Sequence, residues 1–129
     1  KSKTMSTLAV GTIKSVSSAA PVFQNTSGVE KGQLAKAWIT ISSSTTILDS
    51  FGVSSLSDNG NGDFNVTFTT NFSNDDYCAS TMAATGDNLA FSGVDSSQAV
   101  NTCRVITRTD RTSGKTDFTM AHAIFFGDN

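Results

Sequence analysis

Alternating apolar and polar positions dominate this chain, and they predict β-strands. Over 64–69, phenylalanine and valine at the even positions alternate with asparagine and threonine, which is the two-residue period of a half-buried strand. The preceding segment 58–63 (DNGNGD) is rich in residues that tolerate positive φ and predicts a chain reversal. Before it, Phe51, Val53 and Leu56 are expected to point inward. In 34–41 one face carries Ala35, Ala37, Ile39 and Ile41, and the other carries Leu34, Lys36, Trp38 and Thr40.

Three later segments, 77–84, 100–109 and 117–126, also alternate. In the last of them one face carries Phe118, Met120, His122, Ile124 and Phe126, and the other carries Thr119, Ala121, Ala123 and Phe125. Because both faces are largely apolar, we expect this strand to lie centrally or to be covered by a partner subunit. The five residues from Phe118 to Phe126 on the first face are therefore a candidate subunit interface.

The spacing of the strands and turns predicts an all-β fold. Turn signals recur about every eight to twelve residues and no helical period is convincing, which is typical of a β-sandwich or a jelly-roll-like barrel. We expect a single sandwich domain over 33–129. Residues 1–32, which contain the sole proline, are expected to form an extended N-terminal arm and connector. Such an arm either crosses to a neighbouring subunit or wraps on its own domain.

The composition narrows the functional classes. Only 37% of the 129 residues are hydrophobic and 16% are charged, but nine phenylalanines are enough to form a core. This modest core favours burial against copies of the same chain. The net charge of −2 argues against nucleic acid and anionic membranes as partners. No apolar run reaches the roughly 18 residues of a transmembrane helix, so no membrane insertion is expected.

Cys78 and Cys103 leave two alternatives open. They are either two separate buried thiols or a disulfide that links two strands, as an oxidising environment would permit. A metal site is disfavoured because no histidine or further cysteine lies at ligand spacing.

Other candidate chemistry is weak, and we expect neither enzymatic activity nor a cofactor. His122, the only histidine, is expected to be a core or interface residue, since no nucleophile and acid can be assigned to it. The acids at 58, 63, 75 and 76 are expected to be turn residues. Segment 58–63 lacks the ligand spacing of a calcium loop. Arg104, Arg108 and Arg111 form either a solvated face or a contact with a partner's acids or an anionic sugar.

Several segments resemble a family of small domains found in tailed phages, especially those of aquatic bacteria. The matching segments are MSTLAVGTIKS (5–15), AKAWITI (35–41), ILDSFGVSSLSDNGNGDFNVTFTT (47–70) and NDDYCAS (74–80). The chain departs from the family pattern at 42–46, where serine and threonine replace an Asn/Gly-rich turn.

The resemblance implies a virion structural protein of the tail-fibre or knob type that contacts the host cell surface. A capsid decoration (cement) protein that stabilises the head lattice is the alternative. Either would be made in the host cytoplasm, reside on the tail or head of the virion, contact other virion proteins and assemble as a homotrimer. A carbohydrate-binding module is a third possibility, which is compatible with the tail-fibre type. Trp38 and Tyr77 would then be its aromatic contacts to a host glycan.

Overall fold

The computed structural model describes residues 8–14, 16, 21–86, 88–110 and 114–128. Within these ranges the chain forms β-strands and no helix, which confirms the all-β prediction. Accordingly, no helix in the described part has the length and apolarity to span a membrane. The strands are β1 Phe23–Gln24, β2 Glu30–Gly32, β3 Ala37–Ser42, β4 Ile47–Phe51, β5 Val53–Asp58, β6 Asp63–Phe68, β7 Cys78–Thr85, β8 Asn88–Val94, β9 Thr102–Arg108 and β10 Met120–Phe126.

The chain divides into two compact units, 1–32 and 33–129. In the first unit, β1 and β2 form an antiparallel hairpin. Its turn is closed by Asn25, whose Oδ1 accepts hydrogen bonds from the amides of Ser27 and Val29 at 3.0 and 2.9 Å. An asparagine side chain that binds its own turn in this way is a common means of reversing a chain.

The second unit is one antiparallel sheet of eight strands in the order β4-β3-β10-β7-β8-β9-β6-β5. The sheet folds over on itself as a sandwich. Strand β8 makes one corner, because residues 88–90 pair with β7 whereas 91–94 pair with β9. The segment 47–58 makes the other corner, since β4 pairs with β3 and β5 pairs with β6. Strands that pass from one layer to the other in this way are a recognised means of closing sandwiches.

Gly52 allows the second corner to form. It lies between β4 and β5 with φ of +68°, and a Cβ there would be 2.3 Å from the carbonyl oxygen of Lys36. Any other residue would meet both left-handed strain and a backbone clash. The bend also changes which face the chain presents, so Phe51 is exposed whereas Val53 and Leu56 pack against the core. The predicted inward orientation is therefore wrong for Phe51.

The core lies between the two layers and is built from one face of each alternating strand. The buried strand residues are Ala37, Ile39 and Ile41 of β3, Phe64, Val66 and Phe68 of β6, Ala83 of β7, Cys103 and Val105 of β9, and Ala121, Ala123 and Phe125 of β10. Each large apolar side chain buried in this way stabilises the fold by about 1.5–3 kcal/mol.

An aromatic cluster closes one end of the core. Tyr77 stacks on Phe72 with ring centroids 4.3 Å apart, and Phe68 meets Phe72 and Phe125 edge to face at 4.8 and 5.0 Å. The hydroxyl of Tyr77 donates a hydrogen bond of 2.9 Å to the carbonyl oxygen of Thr102. Aromatic pairs in these geometries add to the stability given by burial alone.

Phe118 also belongs to the core, with its ring 5.4 Å from that of Phe64. The prediction placed it on the interface face with Met120. It is wrong because the regular alternation begins only at Met120, where β10 starts, so Phe118 lies before the strand and turns inward.

Candidate functional site

The outward side chains of β4, β3, β10 and β7 form one continuous surface. Cross-strand pairing aligns Phe51, Trp38, Ile124 and Ser80 in one row. A second row aligns Asp49, Thr40, His122 and Met82. Residues directly opposite in antiparallel strands lie on the same face. We call this surface the apolar face, and it comprises Asp49, Phe51, Trp38, Thr40, Ser42, Met120, His122, Ile124, Phe126, Cys78, Ser80 and Met82.

The apolar face has a shallow depression with apolar side chains standing beside it. The depression has a volume of about 340 Å³ and is lined mainly by Trp38, Thr40, Ser80, Met82, His122 and Ile124. The side chain of Met82 is 65% exposed, and those of Phe51 and Met120 are 58% and 41% exposed. This much exposed apolar surface on adjoining strands is typical of an interaction surface.

The two polar side chains at the centre of the face satisfy each other. The hydroxyl of Thr40 and Nδ1 of His122 share a hydrogen bond of 3.1 Å across β3 and β10. His122 is exposed on the sheet rather than enclosed in the core. The interface alternative for His122 therefore fits its position, and the core alternative does not.

The structure brings the predicted interface and one of the predicted sugar contacts together. Met120, His122, Ile124 and Phe126 share the apolar face with Trp38. Tyr77, by contrast, is buried in the aromatic cluster, and burial raises the pKa of its phenol above the ordinary value. The prediction that Tyr77 contacts a glycan is therefore wrong, because its ring has no exposed side for a ligand.

The opposite side of the sandwich carries a network of ion pairs. Asp63, on β6, is 4% exposed. Its Oδ1 and Oδ2 accept hydrogen bonds from Nε and Nη2 of Arg104 at 2.8 and 2.5 Å, and Lys115 also binds Oδ2. Nη1 of Arg104 donates to Asp95 at 2.9 Å. We call these four residues the ion-pair cluster.

The contacts within the cluster favour the charged forms of Asp63 and Arg104. The hydrogen bonds from Arg104 keep the pKa of Asp63 far below its usual range, against the opposing effect of burial, and Lys115 acts in the same direction as Arg104. The pKa of Arg104 is raised by the same contact with Asp63. Asp63 is thus ionised across the physiological range and links β6, β9 and the segment before β10.

Arg104 is therefore an internal ion-pair residue, and its contact with a partner stays a prediction, since its side chain is 36% exposed. Arg108 is exposed on the same side of β9 and borders a second depression of about 260 Å³ with Phe91, Val94 and Ile106. Arg111 lies outside the described residues.

The DNGNGD turn has a more specific structure than the sequence indicated. Oδ1 of Asp58 accepts the amide of Gly60 at 2.8 Å, as expected of a turn residue. Gly62 has φ of +57° and donates its amide to Oδ1 of Asp117 at 2.8 Å. A Cβ at Gly62 would lie 2.4 Å from the carbonyl oxygen of Thr116. The turn is thus tied to the segment that leads into β10.

Sequence reasoning missed Asp63, Asp95 and Lys115 as cluster members. It treated Asp63 as a turn residue like Asp58. A signal was available in the sequence. Asp63 is two residues before Asn65 and so shares the polar face of that strand, and Arg104 lies on the polar face of the segment that forms β9. The charges meet because Asn65 of β6 lies opposite Arg104 of β9. That alignment cannot be obtained from alternation alone.

Both cysteines are free thiols, Cys78 exposed on β7 and Cys103 buried on β9. This contradicts the disulfide alternative, and the alternative of two buried thiols holds for Cys103 alone. Burial raises the pKa of the Cys103 thiol. Within the described ranges, no three histidine, cysteine or acidic side chains group as a metal site would require.

Comparisons of the chain with protein families, with curated proteins and with solved structures found no match.

Proposed function

We propose that this protein is a structural module on the surface of a phage virion, of the tail-fibre or knob type, and that it contacts the host cell surface. The sequence resemblance over 5–15, 35–41, 47–70 and 74–80 supports this function. Residues 35–80 contain four consecutive strands and the start of a fifth, so the three matching segments within this range cover most of one half of the sandwich.

The structural observation that carries the proposal is the apolar face. A sheet face with exposed Phe51, Met82 and Met120 is costly to keep in water. It therefore suits a protein that works as part of an assembly. A virion component meets that condition, because it remains packed against other protein after the particle forms.

A second candidate is a decoration protein that braces the capsid lattice. What favours it is the first unit, in which the side chains of Leu8, Val10 and Ile13 are all exposed. Exposed apolar side chains in a segment without regular structure suit an arm that lies along another lattice protein.

Gold-labelled antibody against this chain, viewed on intact virions by electron microscopy, tests both candidates. The fibre proposal expects label at the tail tip or fibres and normal heads after removal of the gene. Label spread over the head, with heads that burst on heating when the protein is missing, would favour decoration instead. Particles that contain no copy of the chain would overturn both.

A further inference from the structure

The two outer sides of the sandwich differ sharply in charge. On one side the charges of Asp63, Arg104, Asp95 and Lys115 are joined in the ion-pair cluster. On the apolar face the only carboxylate is Asp49, on the outermost strand β4. Lys36, which is in phase with Trp38, lies before β3 and has its ammonium over the ring of Phe72 at 5.7 Å. Antiparallel sheets that face water normally carry polar residues on that side. This contrast within one domain indicates that the apolar face is covered by protein in the working molecule.

The shape of the face is suited to its own copy. A depression lies at the centre of the face, beside Trp38, His122 and Ile124. Phe51 and Met120, which do not line the depression, stand out at its margins. When two such faces meet with opposed orientations, the marginal side chains of each copy can enter the depression of the other, as in isologous contacts.

The size and polarity of the face suit a weak self-association. Four strands spaced about 4.8 Å apart and about seven residues long give a flat area of roughly 440 Å² per copy, or roughly 900 Å² for two faces. An area of that size lies below the ~1,000 Å² that a stable, specific interface should exceed, and it suits the smaller contacts of weak complexes. The hydrogen bond between Thr40 and His122 lowers the cost of removing these side chains from water.

We infer that the apolar face is the surface through which copies of this chain associate with one another. A face whose only carboxylate, Asp49, lies on its outermost strand favours a partner that is itself apolar and nearly uncharged, and the apolar face of a second copy has that composition. The inference does not depend on a place in a virion and would hold for the isolated protein in solution. Isologous pairing of this one face gives a dimer, so the homotrimer expected from the sequence would need a second contact surface.

The experiment compares two substitutions at exposed strand positions on different sides of the sandwich. Met82→Asp places a carboxylate on the apolar face, where the wild-type side chain is 65% exposed. Phe91→Asp is the matched control, because Phe91 is 57% exposed on β8 and borders the other depression. Neither position is buried, so both variants should fold, which circular dichroism would verify.

Sedimentation velocity at about 50 μM is expected to show an oligomer for the wild type and for Phe91→Asp. For Met82→Asp it is expected to show a monomer, with association weakened at least about 100-fold, because a carboxylate buried without a partner is strongly unfavourable. Trp38 is the only tryptophan, so its fluorescence should shift to longer wavelength in the Met82→Asp variant as the face becomes solvated.

Three results would overturn the inference. A wild-type protein that stays monomeric at 100 μM is one. Equal loss of association in the two variants is another, because it would indicate non-specific adhesion. The third is a monomer whose Trp38 fluorescence responds to neutral oligosaccharides, which would assign the face to a sugar ligand instead. Because these measurements need no virion, they can fail while the virion proposal stands, and the reverse also holds.

Discussion

Arg104 and Asp63 form a two-point ion pair between β9 and β6, with Nε and Nη2 of the guanidinium 2.8 and 2.5 Å from the two carboxylate oxygens. This parallel geometry makes the strongest kind of side-chain ion pair, because direction and charge reinforce each other. Asp63 is the buried member, and Lys115 and Asn59 bind it as well. The carboxylate therefore connects three separate segments of the chain.

Replacing Asp63 with asparagine is expected to lower the free energy of unfolding by about 3 kcal/mol, the lower end for breaking a buried ion pair. The lower end applies because the side chains of Arg104 and Lys115 remain 36% and 33% exposed and can be partly solvated. Urea unfolding measures the change. Asp95→Asn is the control, with an expected loss below about 1 kcal/mol, since Asp95 is more exposed and is held by one bond from Arg104 and a long one of 3.4 Å from Ser96. Equal losses in the two variants would contradict the structure.

The same pair makes a prediction about acid stability. Because the pKa of Asp63 is lower in the folded state than the value of about 3.9 in an unfolded chain, its ionisation stabilises the fold above that value. This contribution is lost as the pH falls below about 4 towards the folded pKa. The difference in unfolding free energy between wild type and Asp63→Asn should therefore be constant from pH 7 to 5 and shrink below pH 4. A difference that instead shrinks near neutrality would exclude Asp63 as its cause.

Thr45 offers a stabilising substitution. It lies in the β3–β4 turn with φ of +53°, in a conformation that is unfavourable for a β-branched residue. Thr45→Asn is expected to raise the free energy of unfolding by about 1 kcal/mol, since asparagine tolerates the left-handed region. Thermal or urea unfolding measures the change. Ser43→Asn, at a turn position without positive φ, should change stability by less than about 0.5 kcal/mol. A neutral or harmful Thr45→Asn would contradict this backbone conformation.

Removing the hydroxyl of Tyr77 tests its assignment to the core. Tyr77→Phe is expected to lower the free energy of unfolding by about 1–2 kcal/mol, because the carbonyl oxygen of Thr102 loses its hydrogen bond from the phenol. As the phenol pKa is raised by burial, wild-type stability should also fall as the pH rises above about 10, more than that of the variant. The assembly state should not change. If Tyr77→Phe altered the assembly state but not the stability, Tyr77 would be a surface contact and not a core residue.

Thiol labelling distinguishes the two cysteines. In the dissociated Met82→Asp variant, one thiol per chain should react rapidly with a disulfide reagent, because Cys78 is exposed and Cys103 is fully buried. Cys78→Ser should abolish the rapid phase and leave only labelling at the rate of unfolding. Two rapid thiols, or none, would contradict the burial of Cys103 or the exposure of Cys78. In the wild type the rapid phase should slow as protein concentration rises, because Cys78 lies on the apolar face.

Much of the fold could be predicted from alternation alone, because a strand with one buried face records that face at every second residue. This is why the residues that share a face on β3, β6 and β10 were grouped correctly. The errors at Phe51 and Phe118 occur where alternation stops, at the Gly52 bend and just before β10 begins. A two-residue period carries no information across such a point.

The candidate site was less accessible than the fold. The sequence indicated that the last strand has two apolar faces, but not that Trp38 lies beside it, since that requires knowing that β10 pairs with β3. The ion-pair cluster depends likewise on the alignment of β6 with β9. Long-range pairing of this kind is determined by the whole packed structure and not by any local pattern.

The two corners of the sheet, segment 47–58 and β8, restrict how copies of this domain can combine. Segment 47–58 and β8 each pair partly with one layer and partly with the other. The unpaired backbone that each offers to another chain is therefore interrupted after a few residues. An edge of that kind is a poor template for adding a strand, which is a frequent route to fibrillar aggregates. Even at high local concentration, such a domain should associate through the side chains on its faces, so that association remains reversible and separate from aggregation.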